Sequence, residues 1–292
     1  MIISHLIGGL GNQMFQYAAG RSIAIKRRCE FKVDVSDFSG YHLHQGFELE
    51  KIFNCQINLA TNKDLTNMLG LQGHQKIRTF LSRSSLSWLR VKEFIVEPHF
   101  EYWPELRSSP ENSYFRGYWQ SEKYFLDVVN ELRSDFAFKS PMTAVNLELA
   151  KKIQSENSVS LHIRRGDYVQ NPKANAVHGT CTLNYYSEAM RLMIDKVGKP
   201  HIFIFSDDID WVRKNLSIPT PHTFVYQNIG AESYRDMQLM SICKHNIIAN
   251  SSFSWWGAWL NADPNKVVIS PKKWFQNGND IKDLIPSQWR SI

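Results

Sequence analysis

Cysteine is scarce in this chain of 292 residues: Cys29, Cys55, Cys181 and Cys243 stand far apart, with no C-x-x-C pair. A disulfide scaffold or a thiolate zinc site is therefore not expected, and a reduced, cytosolic environment is the simpler reading. No apolar run reaches the ~18 residues of a membrane-spanning helix. The apolar opening Met1-Ile2-Ile3-Ser4-His5-Leu6-Ile7 lacks a basic leader and runs straight into glycines, which reads as a first β-strand and not as a signal peptide. Neither low-complexity segments nor a repeat at solenoid spacing is present. The arginines are not interleaved with aromatics in a nucleic-acid-binding motif, so no nucleic-acid partner is expected.

What is there is an ordinary globular composition, 43% hydrophobic and 21% charged, long enough for two medium domains. Lysine and arginine number 34 against 28 acidic residues, a net charge of +6. That balance suits anionic partners: nucleotides, acidic glycans or anionic membrane surfaces.

The chain opens as a βαβ unit: a strand over Ile2 to Ile7, the loop Gly8-Gly9-Leu10-Gly11-Asn12-Gln13, a helix from Met14 to Lys26 and a strand from Phe31 to Val35. A glycine loop before a helix presents free backbone N–H groups to a phosphate or a sugar hydroxyl, though glycines there also serve close packing. From Tyr41 to Pro110 the pattern is irregular. The basic residues Lys76, Arg78, Arg83, Arg90 and Lys92 read mostly as a solvated face; their clustering near Trp88 also fits a membrane- or glycan-facing surface. A short aromatic strand at Phe115-Arg116-Gly117-Tyr118-Trp119 leads to a capped start at Ser121.

A boundary near Lys139-Ser140-Pro141 divides the chain into domains 1–140 and 141–292. After a helix through Leu147 to Ile153, the second half alternates regularly. Strands are expected at 159–164, 201–206, 223–226, 246–249 and 267–270, and helices near 184–197, 208–216, 232–243 and 252–261, a Rossmann-like parallel sheet.

Three polar clusters fall at the C-terminal ends of those strands, where open parallel sheets gather ligand-binding residues. The first is His162, Arg164, Arg165 and Asp167, with His162 and Arg164 on one face of a strand otherwise built from Val159, Leu161 and Ile163. The second is Ser206-Asp207-Asp208, and the third Asn250-Ser251-Ser252-Phe253-Ser254-Trp255-Trp256-Gly257. Arg164 offers a permanently charged fork for a diphosphate. A carboxylate of Asp207 or Asp208 is able to accept the N1–H and N2–H₂ edge of guanine, and Ser251, Ser252 and Ser254 bring hydroxyls and N–H groups to a helix N-terminus. Simple helix capping also accounts for the aspartates and serines, and core packing for Trp255, Trp256 and Trp259.

The run His162-Ile163-Arg164-Arg165-Gly166-Asp167-Tyr168 resembles the H-x-R-R-x-D signature of α-1,2-fucosyltransferases, glycosyltransferase family eleven, shared more loosely with α-1,6- and protein O-fucosyltransferases. Gly8 to Ala18, Gly117 to Ser121, Phe205 to Asp208 and Asn250 to Ala258 resemble the other family blocks, in order. The resemblance implies an α/β, GT-B-like fold, two Rossmann-like domains facing across a cleft. Residues 1–140 would bind the acceptor and 141–292 would hold GDP-β-L-fucose. It implies an inverting transfer of L-fucose to the 2-hydroxyl of a terminal galactose, in O-antigen or lipopolysaccharide synthesis, with no metal or other cofactor. Arg164, Asp167 and His178 are the catalytic candidates; Asp167 and His178 compete as general base, with Asp167 alternatively orienting Arg164 or Arg165 through an ion pair. Asn12, His162, Arg164, Asp207, Asp208, Ser251, Ser252, Phe253 and Ser254 would bind GDP-fucose, and Gly11, Gln13 and Trp119 the acceptor. Unlike animal members, the chain shows no N-terminal anchor, so a cytoplasmic enzyme, peripheral at the inner membrane face, is expected. The alternatives are another linkage, another GDP-sugar, or a non-catalytic nucleotide- or glycan-binding protein.

Overall fold

The structure, a computed structural model, describes residues 1–40, 45–166, 176, 179–276, 278 and 280–292. The chain forms two compact units: Met1–Lys139 with Lys282–Leu284, and Ser140–Ile281 with Ile285–Ile292.

The first unit contains β1 (Ile2–His5), α1 (Leu10–Arg27), β2 (Phe31–Asp34), α2 (Leu49–Ile52), α3 (Asn62–Leu69), α4 (Gln75–Leu81), β3 (Phe94–Val96), β4 (Ser113–Arg116) and α5 (Val129–Asp135). Its four strands run parallel in the order β2-β1-β4-β3. Helix α1 starts at Leu10, earlier than the expected Met14, because Gly9 takes an extended N-cap conformation and its carbonyl accepts Asn12 N–H at 2.9 Å and Gln13 N–H at 3.1 Å. The supposed loop residues Gly11, Asn12 and Gln13 are thus the first turn of a helix.

The irregular stretch after Tyr41 resolves into short helices, among them α3 with a reciprocal Thr61–Asp64 capping box, and β3, which completes the sheet. Arg78 departs from the solvated face expected for it. It is fully buried, ion-paired to Asp34 at 2.9 Å, and hydrogen-bonded to the Gly73 carbonyl and the Ser36 hydroxyl. Tyr114 O–H donates to the same Asp34 at 2.7 Å. A late segment also belongs here: Asp283 accepts Tyr102 N–H at 3.0 Å and pairs with Lys123 at 2.5 Å, and its carbonyl accepts the Ser121 hydroxyl.

The second unit contains α6 (Ala144–Ser155), β5 (Ser158–Ile163), α7 (Leu183–Val197), β6 (His201–Ser206), α8 (Ile209–Asn215), β7 (His222–Val225), α9 (Tyr234–Met240), β8 (His245–Ile247), α10 (Ser252–Leu260), β9 (Val268–Ser270) and β10 (Arg290–Ser291). Six parallel strands lie in the order β10-β9-β8-β5-β6-β7. Every strand and helix expected in this half is present within a few residues. The two-residue strand β10 was not foreseen. Strand β5 is buried along its whole length, and Leu161, Ile204, Met190 and Ile247 share its core. Together the two α/β units make the two-sheet, GT-B-like arrangement.

Candidate functional site

In the second unit, the chain winds from β5 outward through β6 to β7, then returns to place β8 on the other side of β5. The order reverses between β5 and β8, and open parallel sheets bind ligands at that reversal, beyond the strand C-termini. Arg164 to Gly166 follow β5, Asp207 and Asp208 follow β6, and Asn250 to Ser254 follow β8. The three clusters therefore emerge side by side at one edge of one sheet.

His162, the penultimate residue of β5, is almost wholly buried, and its ring lies 5.8 Å from that of Phe253 in α10, across the reversal. Burial, with the nearby Arg164 charge, pushes its pKa down to about 3, so the imidazole is neutral under all ordinary conditions. Its Nδ1 is buried and has no hydrogen-bond partner among the described residues. Arg164 Nη1 sits 3.0 Å from Asp207 Oδ2, while Asp207 Oδ1 accepts Arg165 N–H at 2.8 Å. Gly166 packs against the same carboxylate; a Cβ there would meet Asp207 Oδ2 at 2.9 Å. Arg165 lies 3.4 Å from Asp208 and stacks its guanidinium 3.5 Å above the Trp211 ring.

Asp208 is the N-cap of α8, its Oδ1 accepting Trp211 N–H at 3.3 Å. The two aspartates thus differ in duty: Asp208 caps and holds Arg165, whereas Asp207 orients Arg164 and the turn after β5. This pairing is the one sequence reading sought in Asp167, which, like His178, lies outside the described residues. Asp208 and Asp210 are spaced so that two carboxylates are able to share a divalent ion, but Asp210 is exposed and faces Arg213. Among the described residues no group of three or more His, Cys, Asp or Glu is placed to hold a metal.

At α10, Ser251 is the N-cap and is buried, and no side-chain hydrogen bond from it caps the helix. Ser252 and Phe253 are half-buried, and Ser254 turns its hydroxyl back onto the Ser251 carbonyl at 3.2 Å. Asn250 donates to the carbonyls of Gly179 and Trp274 at 3.1 Å, tying two loops to the strand end. Trp255, Trp256 and Trp259 are core, as their spacing suggested. The assembly offers a guanidinium fork, a helix N-terminus and a neutral imidazole on adjacent elements, a set suited to a diphosphate and the charge it acquires on leaving.

The first unit repeats the logic. Its strand order reverses between β1 and β4. Asp37, after β2, takes His5 Nε2 at 2.8 Å, Gln75 Nε2 at 2.6 Å and Arg116 at 3.3 Å; these bonds, the one to His5 foremost, hold its carboxyl well below the usual range. Glu97, after β3, accepts the backbone N–H groups of Tyr118 at 2.7 Å and Trp119 at 2.9 Å, and burial pushes its pKa up to about 7. Those bonds hold Trp119 in a left-handed conformation, φ +53°, with its indole Nε1 buried and without a partner among the described residues. Such strain costs on the order of 1–3 kcal/mol and is retained where a site needs it. Gln120 donates to Asn12 Oδ1 at 2.8 Å. Gln13 commits its amide to backbone, donating to Gly8 and Gly46 carbonyls and accepting Glu48 N–H. Asn12, Gly11 and Trp119 therefore lie at this edge, whereas Gln13 braces it. The residues that sequence reading missed, His5, Asp37, Glu97 and Arg116, all follow or end strands; the sequence pattern shows no β3 and runs β1 on to Ile7, which hides Glu97 and His5 from the strand-end rule.

The family model for glycosyl transferase family 11 matches residues 2–289. The chain is 36% identical to an α-1,2-colitosyltransferase of Escherichia coli over 301 residues, covering 100% of this chain and 99% of that one. It is also 36% identical to the O-antigen biosynthesis glycosyltransferase WbnK of Escherichia coli, covering 99% of each. Among solved structures, the NodZ α-1,6-fucosyltransferase of Bradyrhizobium, soaked with GDP-fucose, superposes with a TM-score of 0.53 at 14% identity, over 89% of this chain and 91% of that one.

Proposed function

The chain belongs to glycosyl transferase family 11 and is a glycosyltransferase, and we propose on that basis that it is a GDP-sugar-dependent enzyme of O-antigen-type glycan synthesis, transferring fucose or a close 6-deoxy relative. The observation that carries the reading is the reversal between β5 and β8, where His162, Arg164 and the N-terminus of α10 come from neighbouring elements. Arg164, held by Asp207, grips the diphosphate, and Ser251 and Ser252 donate to it. His162 Nδ1 and the ring of Phe253 pack against the sugar nucleotide, with Asn12 and Ser254 as the remaining donor-site candidates. Asp207 or Asp208 faces the guanine edge. The second unit forms the donor domain and the first the acceptor domain, in which Gly11 lies beside the acceptor sugar, Trp119, buried against Phe115 and Tyr124, shapes that site from beneath, and Gln13 fixes the loop beside them.

In this reading the acceptor hydroxyl attacks C1 of the sugar, the bond from C1 to the diphosphate oxygen breaks, and GDP leaves with both bonding electrons, inverting the anomeric centre. The proton of the attacking hydroxyl passes to a general base, Asp167 or His178. Arg164 and the α10 N-terminus counter the charge that gathers on the diphosphate, worth about 3–4 kcal/mol for a single well-placed donor.

The wider statement, a GDP-sugar transferase, is better supported than galactoside α-1,2-fucosylation. The 36% identical relative is named for colitose, which is fucose without its 3-hydroxyl, and for an α-1,2 linkage. The structural relative is an α-1,6-fucosyltransferase and bears on the fold alone. The α-1,2 linkage therefore comes from a relative's name, and another linkage or another GDP-sugar stands beside galactoside α-1,2-fucosylation as a reading to be tested. The test is GDP release from GDP-fucose and from its 3-deoxy analogue, with EDTA present, across galactose-terminated acceptors, followed by NMR of the product. Acceptor-dependent turnover with an α-1,2 linkage is expected. An α-1,6 product would replace the linkage, preference for the 3-deoxy donor would replace the sugar, and failure to bind GDP would overturn the reading.

A further inference from the structure

Residues 65–92 contain no aspartate or glutamate but five basic residues, Lys76, Arg78, Arg83, Arg90 and Lys92. This segment folds as a tight cap: α4 follows a 3₁₀ turn at Gly70–Gly73 and precedes another at Ser84–Leu89. Gln72 Nε2 donates to the Leu89 carbonyl at 2.9 Å, and Arg90 donates to the carbonyls of Leu81 and Arg83 at 2.8 Å each. What the cap exposes is therefore held in place by its own hydrogen bonds.

The polarity of α4 is reversed relative to an ordinary surface helix. Arg78 and Leu81 point inward, while Ile77 and Phe80 are exposed beside Lys76. Of the thirteen large hydrophobic residues that stand exposed among the described residues, five fall in this cap: Leu71 at 87%, Ile77, Phe80 at 51%, Trp88 at 77% and Leu89. Lys76, Phe80 and Arg83 share one shallow surface groove, with the Arg83 guanidinium 5.2 Å from the Phe80 ring. Isolated exposed leucines need no explanation, but five large exposed hydrophobics in one segment whose own charges are all basic, with Glu93 and Asp37 only at its margins, do.

We propose that this acid-free cap is a docking surface for an anionic phospholipid bilayer. Trp88, Leu71 and Phe80 enter the headgroup boundary, where an amphipathic indole is most at home, and Lys76, Arg83 and Lys92 meet the lipid phosphates. Charge complementarity selects the bilayer: a predominantly basic surface that also exposes aliphatic and aromatic side chains suits lipid better than a polyanion, which rewards the charge alone. No helix among the described residues is long and apolar enough to cross a membrane, so the contact is peripheral. The inference does not depend on which sugar is transferred.

The test is sedimentation of the full chain with vesicles of phosphatidylcholine plus phosphatidylglycerol, and with pure phosphatidylcholine. Wild type should pellet with the anionic vesicles, and raised salt should weaken that binding. The double substitution Lys76→Glu with Arg83→Glu should lower the partition coefficient at least ~10-fold, and Trp88→Ser should lower it severalfold at constant charge. An unchanged melting temperature shows that the variants remain folded. No pelleting of wild type, equal pelleting with neutral vesicles, or a charge-reversed variant that pellets like wild type overturns the proposal. So does Trp88→Ser with undiminished vesicle binding, because the surface then binds polyanions in general.

Discussion

Arg164 shows what a single side chain contributes. Lysine at this position keeps a charge but loses the planar fork, the fit to a diphosphate and the geometry of the pair with Asp207. Arg164→Lys is therefore expected to lower kcat roughly 100-fold with little change in thermal stability, the scale of losing one transition-state donor; steady-state kinetics beside a melting curve checks it. Arg78 is the opposite case, a charge used only for architecture. Replacing it with methionine leaves Asp34 buried against Tyr114 without its cation, and about 3–5 kcal/mol of unfolding free energy should be lost, measured as a fall in the urea midpoint. Glu97 carries a pH signature. Its pKa in the folded chain, about 7, lies above the ordinary 4.5, so the folded state holds a proton that the unfolded state has released. Its contribution to stability therefore falls as pH rises through that interval and levels off above it. The unfolding free energy of Glu97→Gln minus that of wild type should accordingly rise from pH 4.5 to about pH 7. Glu48 and Asp236, also raised to about 7 by burial, titrate in both proteins and cancel in the difference.

At the scale of elements, the two halves differ in how plainly the sequence announces them. In the second half β6 is a compact apolar run, His201 to Phe205, closed by a polar cluster, so strand, strand end and candidate site are read in one step. In the first half β3 has only three residues and α2 only four, and no regular alternation of helix and strand flags them as it flags the equally short β8 and β9. The partner of Arg78 lies 44 residues away in sequence, and no local pattern shows such a pairing. The glycine run misled in a different way: Gly11 looked like loop and sits inside α1, because Gly9 already supplies the cap. Nor does a sequence tell which aspartate of a pair caps a helix; Asp208 does so because its Oδ1 reaches Trp211 N–H, which releases Asp207 for Arg164. Asp208→Ala should thus cost about 1 kcal/mol of stability, typical of a lost cap, and loosen Arg165 above Trp211, whereas Asp207→Ala should spare stability and weaken GDP binding. Calorimetric titration of GDP into both variants separates the two.

For the whole molecule, mass action supplies the simplest check on the donor reading. A ligand that binds only the folded chain at 100 times its dissociation constant adds about 2.7 kcal/mol of stability. GDP should raise the melting temperature of wild type in a concentration-dependent way, and Arg164→Lys should shift that dependence to higher GDP.

Asp283 has a consequence for biosynthesis. Its three contacts, to Tyr102, Ser121 and Lys123, close the unit that begins at Met1, yet a ribosome delivers it only after the whole stretch Ser140–Ile281 of the other unit. Domains generally fold in order of synthesis, but here the unit that starts first stays unclosed until the second unit has been translated as far as Ile281, and the chain then turns back to lay β10 in the other sheet. A nascent chain stalled before Lys282 would leave Ser121 and Lys123 without their partner, and limited proteolysis of such stalled chains should find the N-terminal unit more readily cut than in the released protein.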